Sequence, residues 1–229
     1  MILIKNISIS YNNKNVIKDL NLQLDDNCIH GIVGLNGTGK TTLLNSIFGI
    51  KKYEQGEILF NNKKITKKDI AYLPTENYFY PNITGMEYLN LFKNKKFETE
   101  KWNSLFTLPL DKIIDTYSTG MKKKLAILGM LKIDKPIMIL DEPFNGLDIE
   151  TSRIIRSILI QYRNTGKTII VTSHIIETLT NMCDYIHQLE NKKIIISTEK
   201  NNFKDFEKKI FNSIENKNRD IINELINKI

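Results

Sequence analysis

Cysteine, tryptophan, histidine and proline are all scarce in this chain, with two, one, three and five among 229 residues. Cys28 and Cys183 stand far apart and outside C-x-x-C spacing. That argues against a disulfide framework and, with so few histidines, against a structural zinc site; reduced, packed thiols are expected. No apolar run approaches the ~18 residues that a membrane-spanning helix needs. The opening stretch, MILIKNISISYNNKN, lacks the basic start, apolar centre and cleavage site of a secretion signal, so a cytosolic chain is expected. The net charge is +7. Its lysines are scattered among asparagines and isoleucines instead of forming a stripe, so charge alone does not point to nucleic acid. The length suits one large α/β domain, or one domain with a subdomain and a tail.

What the chain does contain centres on residues 29–45, IHGIVGLNGTGKTTLLN. A short apolar run leads into a glycine-rich turn and then into an amphipathic helix start. The turn fits G-x-x-x-x-G-K-[ST] with Gly34, Gly39, Lys40 and Thr41. Gly34, Gly37 and Gly39 let backbone N–H groups converge on an anion, and the following helix adds its positive dipole end. Lys40 supplies a mobile charge for β and γ phosphates, and the Thr41 hydroxyl is placed for Mg²⁺. This strand–loop–helix context reads as a nucleotide site.

Around it the chain alternates strands and helices. Ile2, Ile4, Ile7 and Ile9, then Val16, Leu20, Leu22 and Leu24, predict two strands joined by a turn at 12–15, with Tyr11 ending the first. Strands are also predicted at 56–60 and 70–73. Thr84 with Glu87 three residues on forms a capping box, with Ile83 and Tyr88 as its hydrophobic staple. From there the pattern turns helical, which suggests an insert at about 82–132. Within it Ser118 is a natural N-cap, with Met121, Leu125 and Leu128 on one face and three lysines, 122–124, turned away.

Residues 137–143, IMILDEP, read as a central parallel strand ending in two acids, Asp141 and Glu142, and a carboxylate there suits Mg²⁺. A Gly-Leu-Asp loop ending at Asp148, a helix from about 154 and a strand at 168–172 follow. His174 stands at the end of that strand and would share the same crevice. A hairpin is expected at 184–198. Beyond it Phe203, Phe206, Ile210 and Ile214, then Ile221, Leu225 and Ile229, recur at helical spacing.

Taken in order, these features resemble the ATP-binding subunit of ABC transporters, over about residues 2–197. The resemblance implies an α/β fold: a P-loop NTPase core on a mostly parallel sheet, with an N-terminal antiparallel β subdomain and an inserted helical subdomain. The cassette would occupy 1–200, with the insert at about 82–132, and an amphipathic helical tail would occupy 201–229. Gly34, Leu35, Asn36, Gly37, Thr38, Gly39, Lys40, Thr41 and Thr42 would form the phosphate loop, and Tyr11 would stack on adenine. Thr41 and Asp141 would hold Mg²⁺, Glu142 would act as general base, and His174 would contact the γ-phosphate. Lys40 would assist catalysis. Ser118, Gly120 and Asp148 would serve nucleotide across a head-to-tail dimer with two sandwiched ATP molecules.

Two departures stand out. The signature usually reads L-S-G-G-Q and here reads Y-S-T-G-M, with β-branched Thr119 in a glycine's place. Thr75 replaces the glutamine expected after Leu73-Pro74, too short to reach a metal as glutamine would, with Glu76 beside it. Both resemble the export-type branch. The implied partner is a separate integral-membrane permease, its coupling groove near 75–80, which would hold the chain at the inner membrane face. No nucleic acid is expected. The alternatives are a cytosolic ABC ATPase acting on ribosomes or DNA, and an ATP-sensing module without hydrolysis. Long insertions or a second cassette would favour the first, and Glu142 with His174 opposes the second.

Overall fold

A computed structural model describes residues 1–12 and 14–212. Ile214, Ile221, Leu225 and Ile229 lie outside the described residues.

The N-terminal alternation folds as read. Strands β1 (Ile2–Tyr11) and β2 (Lys14–Leu24) pair antiparallel, with Ile2 opposite Leu24 and Ile4 opposite Leu22. Ile2, Ile4, Ile7, Ile9, Leu20, Leu22 and Leu24 are all buried, which period-2 alternation requires of a sheet with one covered face. Strand β3 (Ile29–Val33) runs through the phosphate loop into helix α1 (Lys40–Phe48). Strands β4 (Gln55–Phe60) and β5 (Lys63–Lys64) return to the first sheet, giving the antiparallel order β2-β1-β4-β5.

Strand β6 (Ile70–Leu73) is an edge strand of the second sheet, which also contains β3. Helices α2 (Gly85–Asn90), α3 (Thr99–Asn103) and α4 (Thr119–Ile133) follow. The capping box forms at α2: Glu87 N donates to Thr84 Oγ1, and Thr84 N donates to Glu87 Oε2. Strand β7 (Ile137–Leu140), helix α5 (Ile149–Asn164), strand β8 (Thr168–Ser173), helix α6 (Ile176–Thr180) and the hairpin β9 (Tyr185–Glu190) with β10 (Lys193–Glu199) come next, and 203–212 are helical. The second sheet runs β10-β9-β3-β8-β7-β6, parallel throughout except for the edge strand β10.

Two apolar layers sandwich this parallel sheet. On β7, Ile137 and Ile139 join the layer shared with the antiparallel sheet and α1, while Met138 and Leu140 join the layer shared with α4 and α5. A strand buried on both faces reads as an unbroken apolar run, which is why 137–140 carries no polar residue. Each such Ile or Leu contributes about 1.5–3 kcal/mol by leaving water.

One expectation needs correction. The sequence predicts α4 as amphipathic, with its three lysines turned away from the apolar face. Instead every residue from Leu125 to Lys132 is buried, and so is Lys123 at 6% exposure. The helix packs between β6 and α2 and so lacks a solvent face along most of its length. Phe203 and Phe206 pack into the same layer.

Candidate active site

The strand order sets β3, β8 and β7 side by side and parallel, so their carboxyl ends open into one crevice. The phosphate loop follows β3, Asp141 and Glu142 follow β7, and His174 follows β8. A cavity of about 420 Å³ lies there, lined among others by Asn36, Gly37, Gly39, Lys40, Thr41, Thr42, Glu142 and His174.

The loop needs its glycines for separate reasons. A Cβ on Gly34 would fall 2.6 Å from Leu189 O, and Gly39 has φ 106°. Gly39 gives α1 no side-chain cap and the first turn holds no acidic residue, so its N–H groups are left for an anion. Lys40 is 5% exposed. Its Nζ donates to Gly34 O at 2.7 Å and Leu35 O at 3.3 Å and lies 3.5 Å from Glu142 Oε1.

Asp141 is fully buried, and its carboxylate is held by three hydroxyls. Thr41 Oγ1 donates to Oδ2 at 2.6 Å, Thr75 Oγ1 to the same oxygen at 2.7 Å, and Thr172 Oγ1 to Oδ1 at 2.5 Å. Thr172 also accepts the Glu142 N–H at 2.9 Å. Glu142 sits at φ 48°, a left-handed conformation that a non-glycine residue holds only where surroundings enforce it. That turn aims its carboxylate into the cavity. Oε2 lies 3.0 Å from His174 Nδ1, while Oε1 is buried with no hydrogen-bond partner. Oε1 thus keeps capacity to accept from a further donor beside its Lys40 ion pair. The Thr41 hydroxyl beside the Asp141 carboxylate supplies hard oxygen donors that fit Mg²⁺.

Not all expected residues meet here. Tyr11 is absent from the cavity lining, where Val16 stands instead, and Lys51 Nζ covers the Tyr11 ring at 3.9 Å from its centroid. Leu35 and Thr38 border a neighbouring apolar cavity that also touches His174. Ser118 caps α4 by accepting the Met121 N–H at 3.2 Å, and Thr119 begins that helix, exposed. Gly120 lies near Gly146, whose carbonyl a Cβ on Gly120 would meet at 3.5 Å. Asp148 caps α5; the Thr151 amide and then its hydroxyl donate to its carboxylate and hold it below the usual aspartate range.

Sequence reading missed Thr172, Lys123 and Asn145, and it gave Thr75 no partner. The register explains Thr172: Leu140 pairs with Val171, which places the next residues, Asp141 and Thr172, together.

Three comparisons bear on what this crevice serves. Residues 17–145 match the family model described as ABC transporter. The putative ABC transporter ATP-binding protein AlbC of Bacillus subtilis (strain 168) is 30% identical over 211 residues, covering 83% of this chain and 88% of that protein. The lantibiotic transport ATP-binding protein SrtF of Streptococcus pyogenes is 26% identical over 93% of this chain and 97% of its own length. A solved structure of the ATP-binding subunit of an ABC transporter superposes with a TM-score of 0.81 at 26% identity, over 87% of this chain and 90% of that one. The phosphate loop and the acids beyond it therefore have a family: this chain is an ATP-binding subunit of the ABC transporter family.

Proposed function

We propose that the chain hydrolyses Mg²⁺·ATP and that this drives a separate membrane permease, in the direction of export. The observation that carries the reading is the buried Glu142 carboxylate on the phosphate-loop cavity, with Oε2 on His174 and Oε1 3.5 Å from Lys40 Nζ and without a hydrogen bond among the described residues. In this mechanism the loop amides and α1 hold the phosphates, and Lys40 leaves the Gly34 and Leu35 carbonyls to meet their charge. Thr41 and Asp141 would hold Mg²⁺, which neutralises phosphate charge when bound. Glu142 Oε1 accepts a proton from water as its oxygen bonds to the γ-phosphorus and the bond to the β-γ bridging oxygen breaks, releasing ADP and phosphate. His174 orients Glu142 through Nδ1 and keeps its other ring nitrogen for the γ-phosphate.

Ser118, Gly120 and Asp148 are read as serving the ATP of a second copy in a head-to-tail dimer. Gly120 supports this: in the first turn of α4 its own chain leaves room for a Cβ, the nearest atom being Gly146 O at 3.5 Å. Close approach by something outside the chain is the reason to keep it. The exposed Tyr78 and Tyr80 fit the groove for a permease, which would hold the chain at the inner membrane face. Among the described residues no helix is long and apolar enough to cross a membrane. Residues 1–200 are read as the cassette, with 82–132 inserted and 201–229 as a tail. Both relatives named above bear transport names, which favours this reading over action on ribosomes or DNA, and the Y-S-T-G-M signature favours export.

The test is phosphate release from ATP by the purified chain with and without Mg²⁺. Wild type turns over only with the metal, and Glu142→Gln falls by about a hundredfold or more while still binding ATP. Equal turnover by both proteins contradicts the assignment.

A further inference from the structure

The burial of Lys123 and the bond between Thr75 and Asp141 have no part in the mechanism above, and they meet. Lys123 Nζ donates to the Thr75 carbonyl at 3.3 Å, and the Thr75 hydroxyl donates to Asp141 Oδ2 at 2.7 Å. Resting on the ATPase reading, we propose that Thr75 and Lys123 are positioning residues that fix the Asp141 carboxylate for the metal and tie it to α4.

A fully buried carboxylate gives up several kcal/mol of hydration, which its hydrogen-bond donors must offset. Three threonine hydroxyls, from Thr41, Thr75 and Thr172, donate to it. A carboxylate oxygen accepts about two hydrogen bonds. With Thr41 and Thr75 both on Oδ2, that oxygen is filled, while Oδ1 holds only Thr172 and keeps capacity for one more partner. Thr75 thereby adds a third restraint to those that Thr41 and Thr172 place on the carboxylate's rotation. Thr75 thus acts on the carboxylate without reaching past it, which a residue too short to reach a metal can still do.

Lys123 completes the arrangement. Burial pulls its ammonium below the usual lysine range, and the carboxylates of Asp141 and then Glu142 act against that. The bond from Nζ to the Thr75 carbonyl sets this charge behind Thr75. Lys123 lies on α4, the helix that Ser118 caps at its start. Displacement of α4 draws on Thr75 and so on Asp141, linking the helix start assigned to a partner's nucleotide with the chain's own metal site.

The experiment measures the Mg²⁺ concentration giving half of the ATP-induced rise in Tm, beside kcat and the KM for Mg²⁺. The proteins are wild type, Thr75→Val, Thr75→Ser, Lys123→Met and Lys123→Arg. Loss of one hydrogen bond to a charged group predicts a midpoint about tenfold higher in Thr75→Val and in Lys123→Met. Thr75→Ser and Lys123→Arg should stay near wild type, as a hydroxyl and a cation are retained. Should Lys123→Met not fold, the Thr75 pair and Lys123→Arg decide. A midpoint in Thr75→Val within about twofold of wild type overturns the proposal, since a purely structural role leaves metal affinity alone. A wild type whose Tm never responds to Mg²⁺ and ATP overturns the nucleotide reading, and this inference with it.

Discussion

Two buried polar clusters lie in this parallel sheet, and they are built on opposite principles. On β3 and β9, His30 Nε2 donates to the Asp25 carbonyl at 3.0 Å, which leaves its Nδ1 to accept from His187 Nε2 at 3.2 Å. His187 Nδ1 then accepts from the Ser197 hydroxyl at 2.8 Å. One tautomer of each ring satisfies every nitrogen with no charge, and Tyr185 stacks on His30. Burial accordingly pulls both imidazoles down, His187 to about 3. At the carboxyl ends of β7 and β8 the groups are ionisable in opposite senses, one acceptor is left open, and a cavity adjoins. Buried polar groups that close on themselves stabilise a fold, whereas those left incomplete wait for a ligand.

The contrast can be broken at the open cluster first. Lys40→Met removes the charge intended for phosphate and should weaken ATP binding by about 10- to 100-fold, with the fold retained, as titration calorimetry would measure. An unchanged affinity would mean that Lys40 belongs to its present carbonyl partners alone.

A smaller effect is expected at the closed cluster. Folding depresses the His187 pKa from 6.5 to about 3, so the unfolded chain takes up the proton first. Stability is therefore full above pH 6.5 and is lost as pH falls toward 3, by about 1 kcal/mol per pH unit from this group. In His187→Asn, Tm followed between those limits should decline less steeply, while ATP turnover at neutral pH stays at the wild-type rate. A wild-type slope in the variant would assign the acid sensitivity elsewhere.

Much of this was legible before any coordinates, and for physical reasons. Period-2 alternation gave the antiparallel strands, an unbroken apolar run gave β7, and the Thr84–Glu87 spacing gave a helix start. These are local signals. Residues 34–42 are likewise contiguous, so their loop reads directly as a motif. What stayed hidden depends on neighbours distant in sequence. The burial of Lys123 follows from α4 packing against β6 and α2, which its own lysine-rich start conceals. The bonds from Thr75 and Thr172 to Asp141 span 66 and 31 residues, and no local pattern encodes them. The Tyr11 ring lies under Lys51, a pairing that periodicity cannot show.

The central claim is that the open cluster is completed by ATP and by a second copy's Ser118. Light scattering of Glu142→Gln with and without Mg²⁺·ATP tests it most directly, beside the same variant carrying Ser118→Arg. The account predicts that Glu142→Gln doubles in mass only with nucleotide and that Ser118→Arg prevents the doubling. A Glu142→Gln protein that binds ATP and stays monomeric, or one that dimerises as well with Ser118→Arg, contradicts it.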